Sequence, residues 1–380
     1  MAVPLRGRLR RTRLVLGDAV DVDVRGRTCT IVDVEGRART LTWDRLVVTS
    51  GSVTRLLSIP GVGEHAKGFK SVAEAVFLRD HVLRQIELAE VATDPAERAA
   101  RATFVVVGAG YTGTELVAQG QQLTRAALRH RPGLSERDVR WVLIDVAPRV
   151  LPGLDERLAG PAERVLRKRG IEVRLETGVA EVTEDCVRLT DGSEIPTRTV
   201  AWCVGVRPDP LVEALGLPAE QGRLAVSTRL EARGAEHVFG AGDVAAVPDV
   251  YHPGRLTPMT VQHAVRQGRA AGINVAASLG HGTPREYRHR DLGFVVDLGG
   301  GQAVADPLHV PITGWPAKVI TRGYHLLALP ANRLRVAADW LTDLLARRQV
   351  VQFGMVPEQQ VTLADADRPP AVRHPARSRG

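Results

Sequence analysis

Aromatic residues make up only 4% of this 380-residue chain, and there are three cysteines. Cys29, Cys186 and Cys203 are odd in number and far apart. They make neither a disulfide framework nor a Cys-x-x-Cys redox pair, and that usage suits a reducing compartment. No run approaches the roughly eighteen consecutive apolar residues of a spanning helix. The basic start (Arg6, Arg8, Arg10, Arg11, Arg13) has no apolar core or cleavage site behind it, so it does not read as a secretory signal. The formal net charge of +8 is accompanied by no zinc-ligand spacing and no RNA-binding aromatic motif, which sets nucleic acid aside as a partner. Repeats of solenoid period are also missing. What remains is an ordinary globular composition with room for two domains and a tail.

One glycine-rich signature stands out, and it lies mid-chain. Thr103-Phe-Val-Val-Val-Gly-Ala-Gly-Tyr-Thr-Gly-Thr-Glu115 reads as a buried strand, a glycine turn and the first turn of a helix. Gly108 permits the tight turn, Gly110 lets backbone approach a pyrophosphate, and Gly113 allows close helix–strand packing. The helix start then offers free N–H groups to phosphate. Asp145 closes the next strand, where a carboxylate accepts hydrogen bonds from both adenine-ribose hydroxyls and repels a 2′-phosphate. This favours NADH over NADPH, with the nearby Arg149 arguing the other way; the bland alternative for Asp145 is a solvated strand-end acid. Its spacing from the glycines exceeds the usual twenty or so residues, which an exposed extension over Arg131–Asp138 accounts for. Val238-Phe-Gly-Ala-Gly-Asp243 looks like the closing motif of a second nucleotide site, although no second GxGxxG precedes it.

Around these motifs the pattern predicts short strands at Leu14–Leu16, Ala19–Val24, Thr28–Val34, Arg39–Thr42 and Leu46–Thr49. A helix follows over Ser71–Leu88 and a polar linker over Ala92–Arg101. The βαβ unit has strands Phe104–Val107 and Trp141–Asp145 around a helix Thr112–His130. Beyond it come a helix Leu154–Arg169, a strand Glu172–Leu175, a meander to Thr199–Val204, a helix Thr260–Ser278 and a Gly-rich strand pair within Phe294–Ala305. In the tail, Leu334, Ala337, Trp340, Leu341, Leu344 and Leu345 share one helix side, with Arg333, Arg335, Arg347 and Arg348 near its ends. That is the pattern of an interfacial helix on anionic lipid; a core helix or a homodimer face is the alternative.

Four segments occur in an order that resembles the type II NADH dehydrogenases of the two-dinucleotide-binding-domain flavoprotein superfamily. They are Gly108–Glu115, the strand Trp43–Gly51, Val238–Asp243 and Val261-Gln-His-Ala-Val-Arg-Gln-Gly268. The resemblance runs from about residue 10 to 350 and implies an α/β fold with two Rossmann-like domains, the first incomplete at its N-terminus, plus an amphipathic C-terminal tail. It implies FAD and NADH as cofactors, hydride passing from NADH to the flavin, and two electrons passing on to a quinone. It places NADH on Gly108, Gly110, Thr112, Gly113, Asp145 and Gly205. Thr49, Ser50 and Gly51 match a turn close to FAD, and Gly242 and Asp243 the residues that hold its phosphate–ribityl portion. Glu115 matches a glutamate near nicotinamide and flavin; a dipole-compensating acid at a helix start is its simpler explanation. Gln262 and Gln267 match two glutamines lining a quinone channel, where amides serve because they donate to carbonyls without adding charge. Five residues turn them about 140° apart, so they bracket a site; the alternative is a solvated polar face.

The resemblance divides the chain into a partial FAD-binding lobe (1–100), an NADH domain (101–235), a second FAD lobe (236–305) and a membrane-associating or dimerising region (306–380). Members of that family begin with a strand and GxGxxG for the ADP half of FAD, and this chain shows neither. The expectation is a truncated or misplaced start that weakens FAD binding. Peripheral attachment at the cytoplasmic face of the membrane, or a cytoplasmic location, follows from the tail. Rival expectations are a reductase of a ferredoxin-like acceptor and a non-catalytic NAD-binding remnant.

Overall fold

The computed structural model describes residues 9–129, 131–329, 331–345 and 350–364, side chains of 343–345 excepted. The chain divides into two compact units. Among the described residues, one contains Thr54–Gly205 and Leu292–Ala364; the other contains Leu9–Val53 and Val206–Asp291. Motifs put the sequence bounds at 100, 235 and 305, whereas the units follow packing. Residues from Thr54 onward belong with the glycine signature because Lys67–Gly68 pairs in parallel with Thr199–Trp202 at the edge of its sheet.

That sheet is five-stranded and parallel, in the order Lys67–Gly68, Thr199–Trp202, Thr103–Val107, Arg140–Ile144, Glu172–Arg174. All of Thr103–Val107 is buried, as a strand covered on both faces must be. Alternation divides its side chains between two cores. Phe104 and Val106 face Ile86, Val117, Leu143 and Leu158, while Val105 and Val107 face Ile144, Leu189, Ile195 and Trp202. The first core is roofed by the helices Val72–Val91, Tyr111–Leu128 and Glu156–Lys168. Ser71 starts the first of these with a full capping box to Glu74.

Local chemistry overrides the sequence expectation in several places. The expected linker over Ala92–Arg101 contains a helix, Pro95–Arg101: Asp94 accepts from the Ala96 and Glu97 N–H groups, and Pro95 supplies a preset first position. The supposed extension Arg131–Asp138 folds back, with Leu134 buried and Arg131 paired to Glu87 and Glu90. Leu14–Leu16 forms no strand; the meander runs Gly17–Asp23, Thr28–Asp33, Ala38–Thr42. The Gly-rich strand pair gains a third strand, giving Val295–Asp297, Ala303–Ala305, Ile312–Thr313.

The tail contains two helices, Trp315–Ala328 and Arg333–Leu345. Leu334 and Leu341 are exposed, whereas Val336 is buried and Trp340 lies under the Arg322 guanidinium at 5.1 Å. The expected Leu344 and Leu345 side chains and Arg347 and Arg348 lie outside the described residues. After the helices the chain packs against the helix Val72–Val91 and the second core of the same unit. Asp80 accepts from the Phe353 and Gly354 N–H groups at 2.9 and 2.7 Å, and Leu363 enters the second core.

In the other unit, Leu46–Val48 and Val238–Gly240 run parallel, so both carboxyl ends open on the same side. Arg223–Ala225 lies between Ala219–Glu220 and Ala245–Ala246, and the helix Val261–Ser278 packs on Val238–Gly240.

Gly120 is a tight point of the first core, since an added Cβ would lie 2.3 Å from Cη2 of Trp141. That indole stacks on Phe104 at 4.8 Å and donates to Thr124 Oγ1 at 3.1 Å. Gly120→Ala is therefore expected to destabilise the fold by about 1–3 kcal/mol through overpacking. Lower thermal midpoint and altered tryptophan emission are the readouts; an unchanged midpoint contradicts the packing described.

Candidate active site

The glycine turn has the form its sequence requires. Gly108 has φ +104°, and a Cβ there would lie 2.4 Å from the Cys203 carbonyl oxygen. A Cβ on Gly113 would lie 1.8 Å from the Gly108 carbonyl oxygen, so only glycine lets the helix approach the strand this closely. At Gly110 an added Cβ would meet nothing within 4 Å. Gly110 is also the N-cap of Tyr111–Leu128, and as glycine it supplies no capping side chain to the first turn. Thr112 is exposed on the same turn, and Gly205, at φ +106°, follows the strand that lies beside Gly108. Asp145 is half-buried, and its carboxylate accepts from the Ala109 N–H inside the turn and from the Ala147 N–H at 2.8 Å. It is a structural part of the turn, not a loosely solvated acid. Arg149 is half-buried and donates to the Pro152 carbonyl.

Glu115 sits one helical turn in and points toward another element. Its Oε1 accepts from the Asp297 N–H at 2.7 Å, and the Asp297 carboxylate is paired with Lys318. Burial pushes the Glu115 carboxyl up to about 7, and the Asp297 charge adds to the rise; the Asp297 N–H and Lys318 oppose it. An acid that merely compensated the helix dipole would remain in solvent.

In the other unit the paired strand ends bring Thr49, Ser50 and Gly51 beside Gly242 and Asp243. The Ala241 N–H donates to the Val48 carbonyl at 3.1 Å, and Ser52 Oγ donates to Asp243 at 2.6 Å. Gly51 and Gly242 both have φ +81°. Gln267 is 1% exposed: its Oε1 accepts from the Gly242 N–H at 2.8 Å and its Nε2 donates to Thr257 Oγ1 at 2.9 Å. Gln262 is also buried, donating to Asp291 Oδ1 at 2.6 Å and accepting from His289 Nε2 at 3.0 Å. The alternative of a solvated polar face is thereby removed for both glutamines. Thr260, the N-cap of their helix, forms no side-chain capping bond, and its buried hydroxyl has no partner among the described residues.

Asp297 and Lys318 thus join the candidate residues of the first unit, and Ser52, Thr257, His289 and Asp291 those of the second, without having been expected. Only the polar run Tyr287-Arg-His-Arg-Asp291, just before the Gly-rich strands, offered a signal for any of them. The donor set fits two dinucleotides. An uncapped helix start beside a bare Gly110 suits a pyrophosphate, and the Gly242–Asp243 turn with the orphaned Thr260 hydroxyl suits a polar, hydroxyl-bearing group.

The model of the pyridine nucleotide-disulphide oxidoreductase family matches residues 7–268. The chain belongs to that family. Among curated members, the type II NADH:quinone oxidoreductase Ndh of Mycobacterium tuberculosis is 29% identical over 373 residues, covering 92% of this chain and 78% of that protein. Its NdhA counterpart in the same organism is 30% identical over 349 residues, covering 87% and 72%. The demethylphylloquinone reductase NdbB of Synechocystis is 30% identical over 316 residues, covering 82% and 73%. In fold, the chain matches NDH2 of Plasmodium falciparum, solved in complex with NADH, with a TM-score of 0.81 at 15% identity over 88% of this chain and 84% of that one. Cys29, Cys186 and Cys203 are all free, and burial pushes the Cys203 thiol up to about 12.

Glu115 carries a pH signature. Its folded value lies above its unfolded one, so between about pH 4.5 and 7 the native state binds the extra proton. The associated stability is fully present below that window and is lost as pH rises through it. Glu115→Gln keeps an acceptor for the Asp297 N–H but cannot titrate. The thermal midpoint of the variant should gain on the wild type between pH 5 and 8; parallel curves would show that Glu115 does not titrate there.

Proposed function

We propose that this flavoprotein oxidises NADH and reduces a quinone. The observation that carries the reading is the start of the helix Val261–Ser278. Two neutral amides, Gln262 and Gln267, are buried there in hydrogen bonds, and no cysteine pair is present that could carry electrons as a dithiol. A neutral, carbonyl-bearing acceptor is recognised by amides of this kind. Similarity to type II NADH:quinone oxidoreductases over 87–92% of the chain supports the same activity.

NADH would lie on Gly108, Gly110, Thr112, Gly113 and Gly205, its pyrophosphate at the helix start and its adenine ribose on Asp145. Thr49, Ser50, Gly51, Gly242 and Asp243 would hold FAD, which when bound supplies a carrier able to accept a hydride and release two electrons. On this reading residues 101–235 serve NADH, 1–100 and 236–305 serve FAD, and 306–380 form the attachment region. NADH and quinone convert to NAD⁺ and quinol with uptake of one proton. Glu115, half-protonated near neutral pH, can exchange a proton at its carboxyl oxygen.

The tail supports attachment to an anionic lipid surface at the cytoplasmic face. Trp315, Val319, Leu327, Leu334 and Leu341 are exposed beside Arg333 and Arg335, and Leu334 is 89% exposed. No helix among the described residues is long and apolar enough to cross a membrane.

Two experiments test these readings. The purified protein should absorb near ~450 nm as flavoproteins do, and Gln262→Ala should raise the KM for a soluble quinone about tenfold while the KM for NADH stays within about twofold. An unchanged quinone KM removes the acceptor assignment. For the tail, Leu334→Asp combined with Leu341→Asp should abolish sedimentation with anionic vesicles and leave NADH oxidation unchanged. Retained sedimentation refutes lipid attachment through these residues, and a dimer that falls apart in the variant assigns the face to a second copy of the chain.

A further inference from the structure

A glutamine amide has two ends of nearly equal shape and opposite polarity, so its neighbours decide which end faces which way. At Gln262 the neighbours are unequal. Asp291 Oδ1 accepts a hydrogen bond from Nε2 at 2.6 Å, and His289 Nε2 lies 3.0 Å from Oε1. Reversing the amide would set carbonyl against carboxylate, and would set NH₂ against the imidazole N–H in the tautomer that now donates to Oε1, so both hydrogen bonds as they stand would be lost.

The segment that brings His289 and Asp291 to Gln262 has no regular structure and is held by side chains of the helix it crosses. Asn274 accepts from the Arg285 N–H at 2.7 Å and donates to the Arg285 carbonyl at 2.9 Å. Tyr287 is buried, its hydroxyl 2.8 Å from Nδ1 of His263, the residue that follows Gln262. The His263 and His289 rings meet edge to face at 5.2 Å. Three points of one helix thus fix seven residues of loop, and the last of these points is the Gln262 amide itself.

We propose that His289 and Asp291 are positioning residues that set the direction of the Gln262 amide for the electron acceptor. This rests on the assignment of Gln262 to quinone recognition. Neither residue need touch the acceptor; each acts through Gln262.

The test is a double-mutant cycle read by calorimetric binding of a soluble short-chain benzoquinone to the holoenzyme, alongside KM and kcat. His289→Ala and Asp291→Ala should each weaken quinone binding about three- to tenfold, with the KM for NADH within about twofold. His289→Gln and Asp291→Asn, which retain a donor and an acceptor respectively, should recover most of the loss. In a Gln262→Ala background, His289→Ala and Asp291→Ala should weaken binding no further. Full additivity with Gln262→Ala overturns the proposal, because the two residues would then act independently of the amide. So does failure of the donor- and acceptor-retaining variants to recover binding while their thermal midpoints match wild type. If Gln262→Ala alone leaves quinone binding unchanged, the acceptor assignment itself fails, a result distinguishable from both. Should an alanine variant not fold, the comparison of His289→Gln or Asp291→Asn with wild type and with Gln262→Ala decides in the same way.

Discussion

The close approach of the helix Tyr111–Leu128 to its sheet governs the geometry of the first unit. The helix touches backbone at Gly113, where the Gly108 carbonyl occupies the space of a Cβ, and an indole at Gly120. Both contacts bring it nearer the strands than any side-chain-bearing residue allows. Three features of the site depend on that depth. The helix start comes level with the glycine turn, at a Gly110 that supplies no capping side chain. Asp145, at the end of the neighbouring strand, comes within reach of the Ala109 N–H. Glu115 is carried low enough to meet the Asp297 backbone and lose water, which raises its proton affinity. A turn built for phosphate and a carboxyl that titrates near neutrality are thus products of one packing constraint.

The second unit solves a different problem. Its site lies at strand ends and in irregular loops, where no ladder of backbone hydrogen bonds holds the chain. Buried polar side chains replace the ladder. Gln267 ties the Gly242 turn to Thr257, Asn274 ties Arg285 and Arg229, and His263 ties Tyr287. An unsatisfied buried amide costs about 1–3 kcal/mol, so each tie defines its loop only while both ends are engaged. Thr260 is the exception, and it stands at the start of the very helix that carries both glutamines.

What could be read from the sequence divides along the same line. The parallel sheet, the helix after the glycines and the Gly242–Asp243 turn were legible because each is specified by residues close in the chain: an apolar run, a glycine spacing, a small-residue turn. Pro95–Arg101 was specified just as locally, by Asp94 and Pro95, but its polar composition suggested a linker instead. The partners of the site residues were not legible. Ser52 meets Asp243 across 191 positions and Asp297 meets Glu115 across 182, and no periodicity spans such a gap. Gln262 and Gln267 were expected to bracket one site from their angular spacing. The structure buries both but gives them different neighbours, one tied to a turn and the other to a loop.

That difference bears on the electrostatics of the loop at Gln262. Asp291 favours a charged imidazole at both His263 and His289, yet burial outweighs it and Arg266 adds to the opposition, so both rings titrate below their ordinary value. Near neutral pH each ring then carries one N–H. At His289 that N–H belongs on Nε2, facing the Gln262 carbonyl, and Nδ1 is left as the acceptor nitrogen. A cationic pair would have recruited an anion, and a thiolate would have required a thiol far more acidic than Cys203, whose value near 12 leaves it protonated. Neutral rings and oriented amides recognise uncharged carbonyl oxygens instead. The chemistry of a quinone is therefore consistent with the electrostatics of this loop as well as with the amides that first suggested it.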